Sequence, residues 1–189
     1  MAGDLPFVRF AGPGQMDDWL DAHSGDARGA WVVFAKKGSG LTSLSLDEAV
    51  EVALCHGWID GQLKGIDDRE YRIRFTPRTA KSRWSQINRE RVARLEAEGR
   101  MREAGRAQVE AAKADGRWDA AYAPPSRMTV PDDLRAALNA DPRAAAAFAA
   151  LTAGERYSVL YRLHHTPAQR RAGHVARVVS TLTAGPPAG

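Results

Sequence analysis

Between residues 45 and 57 the apolar positions Leu46, Ala49, Val50, Ala53, Leu54 and Gly57 recur at i, i+3, i+4, i+7, i+8 and i+11. That spacing lines one face of an α-helix. Ser45 and Glu48 ahead of it form the S-x-x-E capping box, and Gly57 sits where a helix closes on a left-handed residue. Further on the period drops to two. In YRIRFTPR, Tyr71, Ile73 and Phe75 alternate with Arg72, Arg74 and Thr76, which predicts a half-buried antiparallel strand stopped by Pro77. WIDGQLKGI before it predicts the other arm of a hairpin turning through DDRE. AWVVFAKK, bounded by Gly29 and Gly38, predicts a strand buried on both faces at its start, with Lys36 and Lys37 emerging at its end. A short helix is expected over 15–23, with Trp19 and Leu20 turned inward.

From Ser82 to Ala114 the pattern is helical again, broken into two pieces at Gly99. Residues 115–130 are rich in turn formers, with Pro124-Pro125 partly extended. Beyond Pro131 only helices are expected. Pro131 and Pro142 stand in first turns, where a missing N–H costs nothing, and Asp141 caps the helix that Pro142 opens. The element order predicts an α+β domain over 1–120, a linker over 121–130, a helical module over 131–183 and a disordered tail over 184–189.

Composition adds little to this picture. The chain has 189 residues, enough for a real core without staples, and one cysteine, which rules out an internal disulfide framework. MAGDLPFVRF lacks the basic and apolar regions of a secretory leader. No run approaches the roughly 18–20 apolar residues of a membrane helix. A cytoplasmic protein without membrane insertion is expected. Net charge is only +4, but residues 69–117 hold 14 Lys/Arg against 7 Asp/Glu. A basic surface of that kind attracts small anions or nucleic acid.

Candidate chemistry starts at ALCHGWIDG, where Cys55, His56 and Asp60 lie close in sequence. Cys55 falls in the last turn of its helix, whose dipole end is negative and opposes a thiolate. His56 is its direct neighbour and points about 100° away on a helix. Cys55, His56 and Asp60 are therefore weak candidates for catalysis, and their spacing matches no metal-ligand motif. No metal and no cofactor is expected. Trp58 and Asp60 share one strand face by period two, and an ion pair from Asp60 to Arg72 or Arg74 across the hairpin is expected. In PRTAKSRWSQIN, Arg78, Lys81 and Arg83 precede a helix start that Ser82 or Ser85 caps, beside the flat ring of Trp84. Free N–H groups and nearby cations make such a start an anion site. The expected ligand contacts are Trp58, Asp60, Arg74, Arg78, Ser82, Trp84 and Ser85.

ALCHGWIDG, then RFTPR, then S-x-W-S-x-x-N and the glycine-spaced helices ending in DGRW resemble the YdeI/OmpD-associated family, also labelled bacteriocin-protection. The helices over 131–182 resemble that family's C-terminal module. The resemblance implies the YjbR/CyaY-like superfamily for the first part, an antiparallel sheet with helices packed on one face. It also implies a role in resistance to cationic peptides or bacteriocins. Frataxin-like relatives would use exposed carboxylates for iron, and Asp67, Asp68 and Glu70 form the one such cluster near a sheet edge, in a chain that is basic overall. YRLHHTPAQRRAGH stands where the family carries an alanine–lysine and a threonine–arginine pair, so no role resting on that lysine carries over. The combined expectation is a protein that binds an anionic small molecule. DNA binding through 69–117 and an enzyme with a Cys55/His56/Asp60 pocket are the alternatives.

Overall fold

Two compact units, Met1–Ala121 and Tyr122–Gly189, make up the computed structural model, which describes residues 5–25 and 27–184. The first unit contains β1 (Phe7–Arg9), α1 (Pro13–His23), β2 (Ala30–Ala35), α2 (Leu46–Cys55), β3 (Trp58–Gly65), β4 (Glu70–Pro77), α3 (Gln86–Ala97) and α4 (Glu103–Ala114). The four strands form one sheet in the order β1-β2-β4-β3. β4 is antiparallel to both β2 and β3, as the alternation predicts. β1 adds a parallel edge to β2, with Phe7 beside Trp31 and Arg9 beside Val33. The sheet is therefore mixed within an α+β fold, and a three-residue strand is too short to announce itself by period.

One face of the sheet carries the core. Val32 and Phe34 of β2, Ile73 and Phe75 of β4 and Trp58 of β3 pack with Met16 and Leu20 of α1, Ala53 and Leu54 of α2, Val92 and Leu95 of α3, and Val109 and Ala112 of α4. The opposite face carries Phe7, Trp31, Arg72 and Arg74 by the register.

α2 begins with the capping box of Ser45 and Glu48 and ends before Gly57, whose φ is +73°. α4 starts directly against that end. The backbone N–H of Arg102 donates to the carbonyl of Cys55 at 3.1 Å. The approach is close: a Cβ on Gly105 would lie 2.2 Å from the Cys55 carbonyl oxygen, and one on Gly57 2.8 Å from that of Ala104. The break between α3 and α4 falls at Gly99, as the pattern predicts.

The second unit holds α5 (Asp132–Ala140), α6 (Pro142–Ala150), α7 (Ala153–His164) and α8 (Ala168–Ala184) around Leu134, Leu138, Phe148, Leu160 and Leu163. Asp141 caps α6 by accepting from the N–H groups of Arg143 and Ala144. Thr152 and Glu155 form a second capping box at α7. Of the tail expected to be disordered, Ala184 closes α8 and residues 185–189 lie outside the described residues. No helix among the described residues is long and apolar enough to cross a membrane.

Candidate functional site

The expected ligand contacts do not assemble in one place. Trp58 is 1% exposed and lies in the core, edge-on to Trp19. Arg78 is 5% exposed. Its Nε donates to the Trp58 carbonyl at 3.3 Å, its Nη1 donates to the Arg83 carbonyl at 3.2 Å, and its guanidinium lies 3.8 Å from the centre of the Trp84 ring. Trp84 is itself buried, with Trp118 against its edge. The expectation of a stacking ring at Trp84 and a ligand-facing cation at Arg78 is thus corrected: each covers the other, and together they tie the segment after β4 to the start of β3. Ser82 accepts from the Thr79 N–H, and Ser85 caps α3 by accepting from the Asn88 N–H.

Asp60 also needs correction. It sits opposite Phe75, so it shares the core-side parity of Trp58 and Phe75 rather than the face of Arg72 and Arg74. The expected cross-hairpin ion pair is absent among the described residues.

The Cys55 region contains a polar cluster that the sequence showed only in part. His56 is buried, with Nε2 2.8 Å from Asp17 Oδ1 and Nδ1 3.8 Å from Asp21 Oδ1. Arg102 Nη2 reaches Asp17 at 2.6 Å and Asp21 at 3.1 Å. Asp17 and Asp21 fall at i and i+4 on α1, the one local hint that they act together. Beside them is a cavity of about 440 Å³ lined by Pro13, Gly14, Asp17, Cys55, Arg100 and Arg102. Both ring nitrogens of His56 face carboxylates. Burial pushes the Cys55 thiol pKa up, away from the thiolate that nucleophilic chemistry requires. Asp60 does not line this cavity. Among the described residues no three His, Cys, Asp or Glu side chains gather to hold a metal ion.

The Asp17 cluster carries a pH prediction. Burial opposes the charge of Asp17, but His56 and Arg102 outweigh it and hold the carboxyl below its ordinary value. A depressed carboxyl stabilises the fold fully above its unfolded pKa, and that contribution disappears as pH falls through the folded value. Urea midpoints taken from about pH 5 down to pH 2 should fall less steeply for Asp17→Asn than for the wild-type chain. Equal slopes would show that the cluster contributes nothing to acid stability.

From Arg91 onward the basic segment 69–117 is largely balanced through space. Arg91 pairs with Asp47, and Arg94 and Arg100 pair with Glu51 and Glu98. Arg102 takes Asp17 and Asp21, Lys113 takes Glu110, and Arg117 takes Asp115.

The open face of the sheet differs. The Arg72 guanidinium lies over two rings, 4.5 Å from the centre of Phe7 and 4.8 Å from that of Trp31. Lys64 stands 5.3 Å from the Trp31 ring. Arg74 is opposite Trp31 in the register and exposed. None of Lys64, Arg72 and Arg74 has a carboxylate partner among the described residues. The acid on this face, Glu70, is taken by Arg9 through two hydrogen bonds of 3.1 and 3.0 Å. Arg72 Nε is buried without a hydrogen-bond partner. Of the residues expected to bind ligand, Arg74 alone lies here. Phe7 and Trp31 were not anticipated, because the parallel pairing that places them beside each other has no signature in sequence.

A family model described as a domain of unknown function, DUF8412, matches residues 8–108, more than half of the chain. The chain belongs to the DUF8412 family. The DUF8412 match takes in all of the sheet except Phe7, together with α1 to α3 and the first half of α4. Residues 127–185 match a second model, described as bacteriocin-protection, YdeI or OmpD-associated. That match falls on α5 to α8 and supports the YdeI/OmpD-associated resemblance for the helical unit of this DUF8412 chain. No curated protein matches the chain, and no solved structure does.

Proposed function

We propose that the chain binds an anionic ligand on the open face of its sheet, at Lys64, Arg72 and Arg74. The observation that carries this is the combination on one face of three cations lacking carboxylate partners with two aromatic rings. A lone structural cation is normally paired or fully solvated. Here one guanidinium is held between rings with its Nε out of water and unbonded, while two further cations stand next to it. Anions meeting that face gain charge-assisted hydrogen bonds from the exposed cations Lys64 and Arg74.

The name of the C-terminal match refers to bacteriocin protection, and a part in resistance to antimicrobial peptides or stress goes with this proposal. The physics restricts how. A chain of net charge +4 and pI near 9.5 repels cationic peptides and is unsuited to sequestering them. Protection would act through the anion the protein holds.

Titration with inorganic tripolyphosphate at about 50 mM salt tests the site, since binding through phosphates strengthens as salt falls. Binding is expected for the wild-type chain and about tenfold weaker for Arg74→Gln, because a charge-assisted hydrogen bond is worth about 1.5–3 kcal/mol. Unchanged affinity in both Arg74→Gln and Lys64→Gln would remove the site from the sheet.

A further inference from the structure

We infer that the ligand of the open sheet face is single-stranded nucleic acid, held by ring stacking as well as by charge. This rests on the proposal that the face binds anions and goes further by naming which. Charge alone would be met by any polyanion, but the rings are arranged for more than charge. The Arg72 guanidinium of β4 lies 4.5 Å from the ring centre of Phe7 in β1 and 4.8 Å from that of Trp31 in β2, and Lys64 of β3 stands 5.3 Å from the Trp31 ring. Flat π-surfaces and a guanidinium plane are surfaces on which unpaired bases stack. Phe7, at the edge of the sheet, is 53% exposed, so it offers an open ring on which a base can stack.

The charges are set to follow a backbone. Arg74 lies beside Trp31 in the register and Lys64 beside Arg72, so Trp31 and the Arg72 guanidinium each have a further cation next to them. Neither is opposed by a carboxylate among the described residues. Duplex DNA fits poorly. Its bases are already stacked inside the helix and cannot reach Phe7, and a face of four strands spaced about 4.8 Å apart is too broad to enter a major groove about 12 Å wide. The helical surface that would otherwise serve duplex phosphates is occupied by its own acids at Asp17, Asp21, Asp47 and Glu51.

The test is fluorescence anisotropy with two probes on the full chain, a labelled 12-nucleotide oligo-dT and the same length of labelled duplex, together with competition of the oligo-dT by inorganic tripolyphosphate. The oligo-dT is expected to bind at least tenfold tighter than the duplex. Phe7→Ala is expected to weaken oligo-dT roughly 5- to 150-fold, the range for losing one stacked base, while leaving the affinity for tripolyphosphate unchanged. Trp31→Leu, which keeps apolar bulk on the face, should act in the same direction. Equal affinity for duplex and single strand, or oligo-dT binding that survives both ring substitutions, would overturn stacking while leaving the anion site in place. Loss of no probe on Arg74→Gln together with Lys64→Gln would overturn the anion site itself.

Discussion

Truncating Trp58 to alanine should cost about 4 kcal/mol, within the range for removing a large buried aromatic. Trp58 is 1% exposed, stands at the start of β3, and meets Trp19 of α1 edge-on with ring centres 6.1 Å apart. Its carbonyl also receives the Arg78 Nε–H, so the residue is where sheet, α1 and the 78–85 segment converge. Chemical denaturation followed by circular dichroism would measure the loss. A cost under about 1 kcal/mol would be that of a surface substitution and would place the indole outside the core. Because this residue is structural, any loss of ligand binding in the variant should track the loss of folded protein.

Gly105→Ala should be nearly as damaging, at about 3 kcal/mol, the upper end for overpacking. The added Cβ would stand 2.2 Å from the Cys55 carbonyl oxygen and 2.7 Å from that of Leu54. These are backbone atoms at the end of α2, hydrogen-bonded into the junction through Arg102, so no side chain can swing away to make room. The comparison is Gly14→Ala in α1, where an added Cβ meets nothing within 4 Å. That change should be neutral or stabilising by up to about 1 kcal/mol through helix propensity. If the two variants melt alike, the α2–α4 contact is looser than the structure has it.

The parts of the fold visible in sequence were those whose pattern repeats over many residues. α2, with its capping box and Gly57, and β4, with its strict alternation, are both found as expected. β1 had only three residues in which to show a period, and its role is set by a partner 24 positions away, Phe7 meeting Trp31. The site was harder for three physical reasons. Residue type does not reveal what lies on top of a residue: Arg78 and Trp84 looked like a cation and a platform and instead cover one another. Parity within a strand does not say which face of the partner it meets, and for Asp60 that was settled by the register against Phe75. A charge count along the chain omits pairing through space: the acids that balance the arginines of α3 and of the connection to α4 come in large part from α1 and α2.

The α2–α4 junction also turns the chain's single thiol into a clock. Cys55 is 3% exposed, its carbonyl is bound by Arg102, and Gly105 closes over it without a side chain. Because the residue also lines the cavity beside Asp17 and is still almost without exposure, an aromatic disulfide reagent reaches the sulfur only when that lining loosens, and labelling kinetics measure how often it does so, free of background from any second cysteine.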